Sequence, residues 1–397
     1  MNKSLFLLLI GGIFALMVAM GIGRFAYTPV LPLMQEALHF SDAMAGYLAS
    51  SNYAGYFVGA MLTGVLPLKR NKMFYLRSGL VASMITTCMM GLTHSYPLML
   101  FIRLISGMAS ALIFVAASSM VLDRLAAAGK TSYSGYFYSG VGLGIFFSTL
   151  LIPSVNEWFG WEGVWVGLSI FSGILTIFAW LWINDSSNGE FQKEEPTAIT
   201  PGPPLRWIPW LIIAYGLEGL GYIVTGTFMV SIAEKTAVFR FDPAMVWVVV
   251  GLGAVPSCIL WSTFAKKRGF VKALVFSMAL QAVGIALPVF RLSPTGLMAS
   301  ALLFGATFMG ITTLATTLAR QMSPSNSSRI IGYLTAVYAA GQMAGPTIAG
   351  LLLSHTQSFH SALLGAAGAV FIGAVLLASG IRFDRMPGRS PGGSLFS

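Results

Sequence analysis

The chain has 397 residues, 56% of them hydrophobic and only 9% charged, with a formal net charge of +10. Soluble domains carry about 25% charged residues, so this balance excludes a water-soluble fold. Apolar runs long enough to cross a hydrocarbon core of about 30 Å recur from end to end, which marks a polytopic membrane protein.

The first run covers residues 5–33 and follows Lys3. Its apolar core is too long for a secretory signal and no clear small-x-small cleavage site follows, so it reads as a retained span. Five more spans are predicted at 43–66, 74–94, 97–122, 132–153 and 162–184. Residues 185–206 (DSSNGEFQKEEPTAITPGPPLR) are polar and rich in Pro and Gly, the composition of a linker. Six further spans follow at 207–232, 244–264, 271–290, 295–319, 330–353 and 361–381. The expected organisation is an all-α membrane protein of twelve transmembrane helices. It divides into an N-terminal six-helix half (1–184), a linker (185–206), a C-terminal six-helix half (207–381) and a tail (382–397).

Charge predicts the orientation. With the N-terminus inside, 18 of the 23 basic residues fall on the cytoplasmic side, three (Lys235, Arg240, Arg291) fall outside, and two lie within spans. That bias predicts both termini in the cytoplasm, with the linker and tail on the same side. It also accounts for the net charge through contact with the lipid bilayer, so no nucleic-acid partner is expected. Cys88 and Cys258 fall inside predicted spans and are expected as free thiols, not a disulfide framework.

The halves read as copies. GIGRFAYT (Gly21 to Thr28) in span 1 matches GLGYIVTG (Gly219 to Gly226) in span 7. PLKRNK after span 2 matches AKKRG after span 8. Six spans per half give both copies the same orientation, a parallel repeat of the kind secondary transporters use.

Twelve spans, a central cytoplasmic linker and basic loops after spans 2 and 8 resemble the major facilitator superfamily. Its loop signature Gly-x-x-x-Asp-Arg/Lys-x-Gly-Arg/Lys is matched here at Gly64, Lys69 and Lys72, but Leu68 replaces the Asp and Asn71 the second Gly. In span 4, Arg103 to Gly107 resembles the family's Arg-x-x-x-Gly. In span 11, GQMAGPTIAG (Gly341 to Gly350) resembles a Gly-Pro motif that antiporters carry in span 5, so its position departs from the pattern. More narrowly, GIGRFAYTPVLPLM followed by AGYLASSNYAGYFVGA (Ala45 to Ala60) resembles the YbfB/YjiJ-type subfamily. The resemblance covers essentially the whole chain. It implies a monomeric transporter of the bacterial inner membrane, working by alternating access, but names no cargo.

Only three ionisable residues sit well inside spans: Arg24, Arg103 and Glu218. An arginine at mid-membrane costs roughly 2.5–3.5 kcal/mol on insertion scales, so such groups face a cavity or a partner. Arg24 aligns with Tyr222 in the repeat, and Glu218 lies one turn earlier on the Tyr222 face. The resemblance implies that spans 1 and 7 face one another across a central cavity. Two readings fit. In one, Arg24 anchors an anionic cargo and Glu218 carries a coupling proton, because burial disfavours a charged carboxyl while water or a cation favours it. In the other, the two form a permanent ion pair joining the halves. Arg103 is a second candidate for proton coupling, or a packing residue of span 4.

Other polar and aromatic residues are expected to line the same cavity. They are Tyr27 one turn beyond Arg24, Asn52, Tyr53 and Tyr56 in span 2, Gln281 in span 9, and Tyr338 and Gln342 in span 11. Aromatic walls with sparse polar groups suit small-molecule pockets, and the same residues suit interhelical hydrogen bonding. Gly55 with Gly59, Gly140 with Gly144, and Gly341 with Gly345 let helices approach closely. The resemblance implies gating at the span 2/span 11 and span 5/span 8 seams, and Pro346 is expected to kink span 11.

His39, His94, His355 and His360 fall at predicted outer span ends without ligand-like spacing, so no metal site is expected. No phosphate loop, strand-borne dinucleotide motif or catalytic set is present, so neither cofactor, ATP-driven transport nor enzyme chemistry is expected. The expected function is a secondary active transporter of a small organic solute, slightly favouring an anion, with protons as the coupling ion. The rivals are an efflux pump for apolar or cationic compounds and a non-transport receptor or scaffold.

Overall fold

A computed structural model describes residues 3–65, 68–183, 203–235, 242–291, 293–323 and 327–384. Every regular element among them is helical. The first span is not one helix. It comprises α1 (Lys3–Leu16), a π-helical stretch (Met17–Ile22) and α2 (Tyr27–Leu38). Next come α3 (Asp42–Val65), α4 (Leu68–Gly91), α5 (Tyr96–Ala127) and α6 (Ser134–Trp182). After the linker lie α7 (Ile208–Glu234), α8 (Met245–Arg268), α9 (Phe270–Phe290), α10 (Pro294–Met322), α11 (Ser327–Thr356) and α12 (Phe359–Ala378). Most of the linker (184–202), the tail from 385, and the side chains of Gly64, Leu68 and Lys69 lie outside the described residues.

Ten stretches among the described residues are long and apolar enough to cross a membrane. One of them, Thr131–Trp182, has 52 residues. At 1.5 Å per residue it would reach about 78 Å, more than twice the hydrocarbon thickness. Its α-helix breaks at Gly160, with φ 65° and ψ −175°, inside the gap predicted between spans 5 and 6. That backbone region is essentially restricted to glycine. The α3 helix is not among the ten, and Ser50, Ser51, Asn52, Tyr53 and Tyr56 make it the most polar of the expected spans.

Packing follows one scheme twice. Before the linker, α3 and α4 pack on α5, while α1 and α4 pack on α6. After it, α8 and α9 pack on α10, α7 packs on α11 and α12, and α9 packs on α12. The main contacts between the two sets run along α3–α11, α6–α8 and α2–α7.

The small residues at these seams are not the ones the GxxxG spacing singled out. Gly55 and Gly59 close on Leu104 and Met108 of α5. Gly341 and Gly345 close on Gly216 and Leu220 of α7, and Gly140 on Ile13 of α1. The α3–α11 seam is made instead by Gly46 against Pro346 and Gly350 against Asp42. The Ser50 hydroxyl there donates to the Met343 carbonyl at 2.7 Å. In the α6–α8 seam, Gly142 meets Ala254 and Gly251 meets Phe146. Spacing shows that a helix face is small, but not which neighbour it meets.

At the end of the bundle where α2 meets α3, Lys235 bridges to Asp42 at 3.3 Å across the two sets, and the Gln35 amide donates to Asp42 at 3.0 Å. His94, expected without a carboxylate partner, lies 3.5 Å from Glu162. His39 caps α2 in a left-handed conformation, with φ 53°.

Candidate functional site

The site grows from the break in the first span. Backbone bonds step to i−5, with the Gly23 amide donating to Val18 at 2.9 Å and Phe25 to Met20 at 3.0 Å. Such π-bulges concentrate at functional positions because they turn one residue out of the helical register. Glycine makes the bulge possible, since a Cβ on Gly21 would collide with Gly144 of α6. Pro29 and Pro32 follow in α2, and neither can donate a backbone bond.

Inside the break, the Gly23 carbonyl accepts from three side chains. They are Ser106 Oγ at 3.0 Å, Arg103 Nη1 at 3.3 Å and Asn52 Nδ2 at 3.5 Å. Ser110 Oγ donates to the Ala19 carbonyl at 2.7 Å. Arg103 also donates to Leu48 O at 3.5 Å, and its guanidinium stacks on Tyr27 at 4.6 Å. Arg103 is thus turned toward the backbone that carries Arg24. Tyr27 goes with it and not with Arg24: its hydroxyl donates to Ala45 O at 2.9 Å, tying α2 to α3.

Arg24 itself is only 3% exposed. Its guanidinium lies 4.3 Å from the Tyr56 ring centre, 4.8 Å from Tyr53 and 5.5 Å from Phe25. A desolvated cation over an aromatic face is stabilised by about 2 kcal/mol, which offsets much of the insertion cost. The Tyr53 and Tyr56 phenols also hydrogen-bond to the guanidinium, while Nε and Nη2 are buried without a partner.

Glu218 is fully buried, and neither carboxyl oxygen makes a well-formed hydrogen bond. The Gln281 amide and the Tyr338 phenol lie within hydrogen-bonding reach of it. The Gln281 amide is itself unpartnered at both ends. None of the three ion pairs among the described residues includes Arg24 or Glu218. A permanent strut between them is not what the structure contains.

Between them stands Tyr222, whose hydroxyl takes a short hydrogen bond from Gln342 Nε2. It belongs to a column of nearly parallel rings. Tyr215 stacks on Tyr338 at 4.2 Å, and Tyr338 on Tyr222 at 5.7 Å. Tyr222 faces Phe304 at 6.0 Å and Phe308 at 6.1 Å. Trp247 continues the column from Phe304, and Phe25 meets Phe308 edge-on. The i,i+4 pair Phe304 and Phe308 was a readable signal; Tyr215, Trp247 and Phe25 carried none, because their partners are far away in sequence. The repeat also closes here: Thr28 makes a short hydrogen bond to the Gly226 carbonyl, joining the last positions of the two copies.

The expected wet chamber is not open around these groups. A cleft of about 580 Å³ lies at one end of the bundle, beside Gln35, Asp42, Glu234 and Lys235. Another of about 370 Å³ lies beside Lys3, Arg124 and Trp182. Neither is lined by Arg24 or Glu218. The charged pair sits in a closed interface where the two helix sets meet, walled by aromatic rings.

The curated protein described as "Uncharacterized MFS-type transporter YceJ" of Bacillus subtilis is 25% identical over 90% of this chain and 92% of its own length. The quinolone resistance protein NorA of Staphylococcus aureus is 22% identical over 89% of this chain and 90% of its own. Among solved structures, the nucleoside transporter NupG superposes with a TM-score of 0.71 at 15% identity, covering 96% of this chain and all of that one. That likeness shows the fold. The profile of the family described as "Uncharacterised MFS-type transporter YbfB" matches residues 16–378. The chain is therefore a multi-pass membrane transporter, not an enzyme, and belongs to that family.

Proposed function

We propose that the protein is a proton-coupled secondary transporter of a small organic solute, slightly favouring an anion. It has twelve spans in two six-helix halves that alternate about one central site. It works as a monomer in the bacterial inner membrane, with both termini cytoplasmic. The observation that carries the reading is a guanidinium edge and a carboxyl group, both buried, unpaired with each other and making no well-formed hydrogen bond. Native proteins leave few buried polar groups unsatisfied, and each calls for an explanation such as a ligand, water or a functional role. A site that must hold cargo in one state and empty in another has that character. Arg24 anchors the cargo, with Tyr53, Tyr56, Tyr222, Tyr338 and Gln342 around it. Glu218 exchanges the proton as its surroundings alternate between dry and wet. Arg103, Asn52 and Tyr27 hold the break that aims Arg24.

The test uses proteoliposomes loaded with a pH-sensitive dye and given small organic acids, with protein-free liposomes as the control for passive permeation. The expected result is protein-dependent proton movement with one or more acids, abolished by Glu218→Gln. Full proton movement in Glu218→Gln would remove the coupling role.

A second reading, export of apolar or cationic compounds, is favoured by the ring column and by the likeness to NorA. There Glu218 would hold the cargo's charge. Lipophilic cations in the same assay would then move protons while organic acids would not.

A further inference from the structure

The unsatisfied atoms of the closed interface also carry a statement about the shape of the cargo. The unpartnered edge of Arg24 consists of Nε and Nη2. These two nitrogens form one planar fork, which matches the two oxygens of a carboxylate. The Tyr56, Tyr53 and Phe25 rings stand 4.3–5.5 Å from the guanidinium and the two phenols hydrogen-bond to it, while the Nε and Nη2 edge remains without an acceptor. The charge-reading residues, Arg24, Phe25, Tyr53 and Tyr56, all belong to the helices before the linker.

Across the interface, the helices after the linker present something different. Tyr222, Phe304 and Phe308 are parallel within 8–17° and stand 5.4–6.1 Å apart. Tyr338 stacks on Tyr222 at 5.7 Å and 11°. A stack of aligned faces accepts a further flat ring through offset stacking. Phe25, from the opposite side, currently covers part of this surface by its edge contact with Phe308. At the far side of Tyr222, Gln342 Oε1 is buried as an acceptor without a donor.

We propose that the cargo is a planar aromatic carboxylate carrying a hydrogen-bond donor on its ring. This rests on the anion reading above and sharpens it. The carboxylate sits on the Arg24 fork, the ring lies against the column, and the ring substituent donates to Gln342. The division has a mechanical consequence. Charge is read by one helix set and flatness by the other, so a complete ligand binds well only when the two sets close on it.

The experiment measures binding of three probes to the purified full-length protein in detergent: 4-hydroxybenzoate, cyclohexanecarboxylate and 4-hydroxybenzamide. The expected order places 4-hydroxybenzoate at least tenfold tighter than either of the others. Arg24→Gln should bring 4-hydroxybenzoate down to the level of the amide. Phe304→Leu should bring it toward cyclohexanecarboxylate while leaving that acid's affinity unchanged. A monodisperse elution profile and a single cooperative ligand-free melting transition of Phe304→Leu establish that it is folded. Equal affinity for the aromatic and the alicyclic acid would overturn the ring assignment and leave the anion reading intact. Equal affinity for the acid and the amide would overturn the anion reading itself. Binding of none of the three would refute the aromatic-carboxylate assignment.

Discussion

Replacing Arg24 with methionine separates a working cation from a structural one by the sign of its effect on stability. The side chain is 3% exposed, and Nε and Nη2 lack acceptors. Two buried, unsatisfied donors cost about 1–3 kcal/mol each. The Tyr56, Tyr53 and Phe25 rings around it return about 2 kcal/mol. Methionine keeps the apolar stem and fills irregular gaps, so Arg24→Met should stabilise the folded protein by up to about 4 kcal/mol. Arg103→Met is the counterpart. It removes charged donors from Gly23 O and Leu48 O and should destabilise by about 1.5–3 kcal/mol per bond lost. Melting midpoints of both variants in detergent, followed by tryptophan fluorescence, should move in opposite directions. A lower midpoint for Arg24→Met would mean that the guanidinium holds the structure together, and the argument for a cargo anchor would fail.

Other predictions follow from single contacts. Gly107→Val should abolish folded yield on size-exclusion chromatography, because a Cβ there would collide with the Asn52 carbonyl of α3. Gly160→Ala should lower the melting midpoint by the equivalent of about 1–3 kcal/mol, since φ 65° with ψ −175° is strained for any residue bearing a Cβ. Asp42→Asn should change stability by less than about 1 kcal/mol, because its ion pair with half-exposed Lys235 is worth little. The same change should raise the labelling rate of a Thr28→Cys reporter from the outer side; an unchanged rate would show that the pair is not a latch. Gln342→Leu should weaken binding of 4-hydroxybenzoate more than that of benzoate, and an equal loss for both would remove Gln342 as the partner of the ring substituent.

How much of this was legible can be judged residue by residue. The expense of placing charge in hydrocarbon picked out Arg24, Arg103 and Glu218 without any coordinates, and all three are buried. Repeat alignment paired Arg24 with Tyr222, and the structure places that phenol beside the guanidinium. Helical spacing marked Gly55, Gly59, Gly341 and Gly345 as contact residues, but not the helices they contact. Tyr27 was misdirected by its spacing. Counting one regular turn from Arg24 assumes an α-helix, but residues 23–26 form a turn between the π-helical stretch and α2, and the ring meets Arg103 instead.

The sequence by itself determined the solvent and the all-helical class, because hydrophobic length and charge cost depend only on local composition. It also determined which charges had to be exceptional. Only the tertiary structure decided that Arg24 and Glu218 do not pair with each other, that Arg103 donates Nη1 to the Gly23 carbonyl and leaves Nη2 unpartnered, and that five rings from three helices stack. Those outcomes depend on which helix faces meet and at what rotation. That is set by the sum of many small side-chain contacts between segments remote in the chain, so no local pattern encodes it.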